Sequence, residues 1–151
     1  MVLVGVLCGC SSSSSGGVPF SVQDQIFFGA SGDYELKMLD YSGACALQQA
    51  SDTHKQNTQY IELHYYGSNI PGPGTYGVGA TVKIALHKRD GACNLTESVA
   101  TSGSVTITNV TSSTLTGSFT ANLPGYGTVS GNLDASFCDT SSSTGPQQCV
   151  P

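Results

Sequence analysis

Residues Thr114 to Phe137 read TLTGSFTANLPGYGTVSGNLDASF, and their alternation decides the fold class. Leu115, Phe119, Ala121 and Leu123 fall on one side of an extended chain, and Thr114, Thr116, Ser118 and Thr120 fall on the other. Pro124-Gly125-Tyr126-Gly127 interrupts the run. Val129, Leu133, Ala135 and Phe137 then resume it against Thr128, Ser130, Asn132, Asp134 and Ser136. Side chains of a strand point alternately to its two faces, so this period of two marks a strand with one buried face. The intervening turn residues make the pair a hairpin. Leu115-x-Gly117-x-Phe119 echoes Val129-x-Gly131-x-Leu133, and a glycine at matched depth points to a bend or a close backbone approach.

The same period extends upstream. Val22 to Gly29, Tyr34 to Tyr41, Gln59 to Tyr66, Thr81 to Lys88 and Gly103 to Thr108 each read as a strand. Tyr34, Leu36 and Met38 face inward, as do Ile61, Leu63 and Tyr65, then Val82, Ile84 and Leu86, then Val105 and Ile107. Turn signals at Ser31-Gly32-Asp33 and Asp90-Gly91 separate strands, and Pro71-Gly72-Pro73-Gly74 is too proline-rich to pair inside a sheet. Ala44 to Ala50 is the one stretch with a helical reading. Nothing resembles a strand–helix–strand crossover, so the strands should pair antiparallel. The expectation is an all-β fold, an antiparallel β-sandwich or partly closed barrel of about seven strands with at most one short helix.

Only 10% of residues are charged, the net charge is −5, and Lys and Arg together number 5. A nucleic-acid surface needs a basic stripe to neutralise phosphates, and none is present. Met1 to Leu7 is almost wholly apolar but far shorter than the roughly 20 residues that span a bilayer. Leu7-Cys8-Gly9-Cys10 then resembles the lipobox of bacterial lipoproteins, with Leu7, Gly9 and Cys10 at the matching positions. That resemblance implies an export signal over residues 1–9 and diacylglyceryl modification of Cys10. No Lys or Arg precedes the apolar run, which suggests that Met1 lies inside a longer signal. Residues 10–17 form a Ser/Gly tether, 18–138 the β-domain and 139–151 a Ser/Pro-rich tail with little order beyond its disulfide.

With Cys8 in the signal and Cys10 acylated, Cys45, Cys93, Cys138 and Cys149 remain for two disulfides. Of the three pairings, Cys45 with Cys93 and Cys138 with Cys149 is favoured, the second closing a short C-terminal loop. A four-cysteine zinc site is disfavoured because no Cys-x-x-Cys spacing occurs.

Three segments resemble a recurring C-terminal pattern of uncharacterised myxobacterial-type lipoproteins. They are Gly103-Ser104-Val105-Thr106-Ile107-Thr108, Gly117-Ser118-Phe119, and Gly131-Asn132-Leu133-Asp134-Ala135-Ser136-Phe137-Cys138. Pro73-Gly74-Thr75-Tyr76 fits the same proteins as the start of a strand after a hairpin loop. The resemblance implies a sheet-building domain and carries no activity.

Glu62, His64 and His87 are the weak candidates for a metal site or an acid–base pair. If the third and fourth strands pair across the Pro71 to Gly79 loop, Glu62 lies opposite Ala85, His64 opposite Lys83 and His87 opposite Tyr60. A solvated sheet face with cross-strand charge pairs explains the same residues. Tyr76 and Tyr126, on Gly/Pro loops, could stack on a sugar or could fold back over the core. Glu35, Asp40, Glu62 and Asp134 could supply a glycosidase pair, and Asp33, Asp90 and Asp134 calcium ligands, but spacing pairs none of them. No Gly-x-Ser-x-Gly elbow is present. The functional expectation is a lipid-anchored protein of the cell envelope, at the outer membrane. Its non-catalytic, cofactor-free β-domain would bind an envelope protein or glycan or serve structurally. A carbohydrate-binding module and a small extracellular hydrolase are the alternatives.

Overall fold

The computed structural model describes residues 17–30, 32–50, 54–141 and 148–151. The expected export signal, Cys10 and nearly all of the expected tether lie outside these residues. The chain runs β1 (Asp24–Ala30), β2 (Asp33–Leu39), α1 (Ala44–Gln49), β3 (His54–Lys55), β4 (Gln59–Tyr65), β5 (Gly74–Gly77) and β6 (Val82–Arg89). It continues through β7 (Leu95–Val99), β8 (Ser102–Val110), β9 (Thr114–Leu123), β10 (Gly127–Phe137) and β11 (Cys149–Val150). Nine strands form one sheet in the order β5-β8-β9-β10-β1-β2-β4-β6-β7, and the sheet curls into a half-barrel. The all-β expectation holds, in its partly closed form and not as a sandwich.

The seven strands with an apolar stripe are those read from the alternation. β5 and β7 are added to them as the two edges of the sheet. β5 is four residues bounded by glycines, and β7 is mostly exposed, so neither carries an inner apolar row that a pattern could reveal. Inside the curl the inward residues meet in one core. Ile61, Ile84, Ala121 and Leu123 are wholly buried, and Phe27, Leu36, Met38, Leu63, Phe119 and Leu133 pack around them. Each such side chain contributes about 1.5–3 kcal/mol by leaving water. The Gly117 signal has a concrete cause: a Cβ there would lie 2.1 Å from the Thr106 carbonyl oxygen, beside the register shift between Ile107 and Asn109. Gly131 instead makes room for the Phe119 ring, whose Cε1 would stand 2.8 Å from an added Cβ.

Two strand pairings depart from the antiparallel expectation. β1 lies parallel to β10, with Ile26 opposite Ser136 and Phe27 opposite Phe137. The missing crossover rules out parallel pairing of strands adjacent in sequence. It says nothing about the first strand of the sheet meeting one of the last, as curling here requires. β11 is likewise parallel to β3. At the seam of the curl, β7 runs almost directly into β8. The Ala100 amide donates to the Ile84 carbonyl of β6 (2.8 Å) and the Thr101 amide to the Asn122 carbonyl of β9 (2.9 Å). One extended segment thus borders both arms of the sheet.

A second, smaller layer sits on the outer face. α1 starts at Gly43, whose φ of 75° any side chain would resist, and Asp24 Oδ2 of β1 accepts the Ala44 amide at 3.0 Å in place of a local cap. Ile26, Leu39, Ala44, Tyr60 and Cys138 form a separate buried cluster beneath the helix. Two disulfides hold this layer, and they correct the expected pairing: Cys45 is bonded to Cys138 and Cys93 to Cys149. The end of β10 lies under α1, so Cys138 meets the helix and not its neighbour in sequence. Cys149, in turn, is carried by β11 to the Asp90–Asn94 turn. The tail is tied at its end by the Cys149 disulfide; of its residues, 142–147 lie outside the described set.

Candidate functional site

Outward side chains of β2, β4, β6 and β7 stand in three rows fixed by the register. Glu35, His64 and Lys83 form the first, and Lys37, Glu62, Ala85 and Val99 the second. Leu39, Tyr60, His87 and Glu97 form the third. The predicted pairing of Glu62 with Ala85, His64 with Lys83 and Tyr60 with His87 is the one observed. Glu35, Lys37, Glu62, Lys83 and Glu97 are therefore gathered on one strip with His64 and His87.

Lys37 is its centre. The ammonium is 3.0 Å from Glu35 and 3.7 Å from Glu62, and lies over the Phe28 ring at 4.9 Å. Burial works against its charge, but the two carboxylates outweigh that penalty and its pKa lies above the ordinary lysine value. Burial pushes the Glu62 carboxyl up, and Lys37 opposes the shift. Lys83, at the rim, donates to Glu97 at 2.6 Å.

The three sequence candidates do meet on this face. Glu62 Oε1 is 3.8 Å from His64 Nδ1 and 3.8 Å from His87 Nε2. Yet they do not form a ligand set. Among the described residues, the one group of three whose donor atoms all lie within 4.8 Å of one another is Asp33, Glu35 and His64. His87 is buried, stacked on Tyr60, and held neutral, its pKa lowered to about 4 by burial against the pull of Glu97. His64 stacks on Tyr66 with centroids 4.3 Å apart and contacts Asp33 through Nε2.

The outer layer and this strip enclose a cleft of about 490 Å³, within the range of small-ligand sites. Its sheet side offers Phe28, Lys37, Tyr60, Glu62 and Arg89, and its opposite side Tyr41, Gln48, His54 and Thr58. Burial raises the pKa of both Tyr41 and Tyr60, which keeps their hydroxyls protonated and able to donate. The alternation of β2 and β4 marked Glu35, Lys37 and Glu62 as outward. Tyr41, His54 and Thr58 carried no signal of their place beside the sheet, which disulfides and long-range contacts set.

The loop tyrosines part company. The Tyr76 hydroxyl donates to the Gly72 carbonyl at 2.7 Å, and its ring sits edge-on to Tyr65 against the core. It caps the core and does not present a face to a ligand. Tyr126 is exposed, with the Lys88 ammonium 4.7 Å above its ring. Of the carboxylates, Glu35 and Glu62 come together around Lys37, whereas Asp40 accepts the Gln59 amide. Asp90 is occupied by its own turn, accepting from the Ala92 and Asn94 amides.

Comparison with protein-family models, with curated proteins and with solved structures finds no match to the chain.

Proposed function

We propose that the chain is the exported, lipid-anchored β-domain of a bacterial cell-envelope lipoprotein, and that it binds its ligand without catalysis in the cleft beneath the disulfide-held layer. The observation that carries the binding reading is the construction of that cleft. Lys37 is held between Glu35 and Glu62, and Phe28, Tyr41 and Tyr60 line the space beside it. Two disulfides spanning distant parts of the chain favour an oxidising compartment. The Leu7-Gly9-Cys10 pattern and the likeness to myxobacterial-type lipoproteins favour the anchor and an outer-membrane location.

A glycan is the ligand class favoured by the rings of Phe28, Tyr41 and Tyr60 beside Gln48, Glu62 and Arg89. This moves the carbohydrate reading from the loop tyrosines to the cleft. The test is a glycan array and an envelope pull-down with the oxidised protein, repeated with Tyr60→Ala and with Tyr126→Ala. Binding lost in Tyr60→Ala and kept in Tyr126→Ala supports the cleft. The reverse pattern, or no binding to any envelope component, overturns it. Intact mass of the membrane-extracted protein tests the anchor, since an acylated N-terminus at Cys10 is expected.

A further inference from the structure

We propose that Asp33, Glu35 and His64 form a site for a divalent transition-metal ion of the zinc type. Their donor atoms lie within 4.8 Å of one another, with two from β2 and one from β4. A tetrahedral zinc site holds its ligands about 2.0–2.2 Å from the metal, so its donors stand a little over 3 Å apart. Rotation of Asp33, whose side chain is 59% exposed, suffices to bring the set to that spacing.

Three features outside the donor set favour a cation. First, the imidazole is oriented: Tyr66 stacks on its face, and Glu62 Oε1 lies 3.8 Å from Nδ1. Nε2 faces the Asp33 carboxylate, to which it can only donate; a metal entering there would displace that proton and place the ring proton on Nδ1, toward Glu62. This is the outer carboxylate that metal-bound histidines characteristically have behind them. Second, Lys37 holds Glu35 through Oε2, which leaves Oε1 free to ligate, and Lys37 also fixes Glu62. Third, the charges do not balance. Glu35 and Glu62 share Lys37, Asp33 meets His64, and Lys83 lies 2.6 Å from Glu97. Three carboxylates against one ammonium leave two negative charges, which a divalent ion neutralises. An imidazole nitrogen selects zinc-like ions over calcium or magnesium.

The inference does not depend on the cleft having a ligand, since metal binding is read directly. The experiment is calorimetric titration of the oxidised full chain, free thiols alkylated, with Zn²⁺, and optical titration with Co²⁺. One equivalent of Zn²⁺ is expected, and bound Co²⁺ should be displaced by Zn²⁺ but not by Ca²⁺ or Mg²⁺. Affinity should fall at least about 10-fold in His64→Ala and in Asp33→Asn, and about 10-fold in Glu62→Gln. Asp33 is exposed, so its variant tests the site even if His64→Ala fails to fold. Absence of saturable Zn²⁺ binding, or binding unchanged in Asp33→Asn and in whichever His64→Ala protein folds, overturns the proposal. Loss of binding in His54→Ala with none in His64→Ala overturns it too.

Discussion

The His87 imidazole lies flat on the Tyr60 ring, centroids 4.7 Å apart and planes 9° apart, and neither of its ring nitrogens has a hydrogen-bond partner. The nearest charges are Glu62 and Glu97, at 3.8 and 3.7 Å from Nε2. A buried ring in this position serves packing at the expense of its own polarity, and the imbalance can be measured.

Stability should fall as the solution is acidified through this histidine's window. Its pKa is lowered from 6.5 to about 4 in the folded chain. Between those values the unfolded chain takes up the proton and the folded chain does not. The effect is present in full below pH 4, absent above pH 6.5, and on the order of 3 kcal/mol. Glu62, with a raised pKa, acts in the opposite sense, so the comparison must be between variants. Urea denaturation of wild type and His87→Phe at pH 7.5 and pH 4 should show the variant losing less. Equal losses would mean that His87 titrates normally.

Replacing Lys37 by Met should destabilise the fold by about 3 kcal/mol at neutral pH, because Glu35 and Glu62 are left partly buried without their cation. The loss should shrink on mild acidification as the carboxyls protonate. Adding Glu62→Gln to Lys37→Met should recover part of it. A thermal shift of less than a degree in Lys37→Met would show the trio to be surface decoration.

Non-reducing peptide mapping should recover Cys45 linked to Cys138 and Cys93 linked to Cys149. The bridges close segments with sequence separations of 93 and 56 residues. Each should stabilise the fold by about 4 kcal/mol in the chain-entropy picture. The two should differ in what they hold. Cys93→Ser with Cys149→Ser should release β11 and raise amide exchange around His54 while the half-barrel keeps its protection. Cys45→Ser with Cys138→Ser should reach β1 and β10, since Cys138 is wholly buried beneath α1.

Gly117→Ala should cost about 1–3 kcal/mol, since the new methyl would press on the Thr106 carbonyl. Thr116→Ala, on the solvent side of the same strand, should cost far less. Matched melting curves decide between them.

The parts of this fold legible in the sequence were those written in short range. Alternation marked β2, β4, β6, β8, β9 and β10, and the turn residues fixed the β4–β6 register to the residue. Helix α1 was legible too, because Ala44 to Gln49 breaks the period of two. Pairings between distant segments left no such trace. The β1–β10 contact, the two disulfides and the β3–β11 ladder each join residues whose local patterns are indifferent to the partner. The site divided along the same line. Glu62, His64 and His87 could be placed on one face, but Asp33 and Glu35 joined His64 only through the β2–β4 pairing, which no turn joins directly.

The parallel ladder between β1 and β10 also makes folding a matter of timing. β1 is made before the other described strands, and one of its two neighbours in the sheet is complete only once Phe137 has been added. Until then the edge of β1 opposite β2 has no partner, and Cys45 has no Cys138 to meet. A nascent chain therefore cannot close its sheet early. The last strand of the barrel acts as the latch, and contacts of such long sequence separation form slowly. A chain truncated before that strand should leave the β5–β8–β9 arm and the β1–β2–β4–β6–β7 arm unjoined.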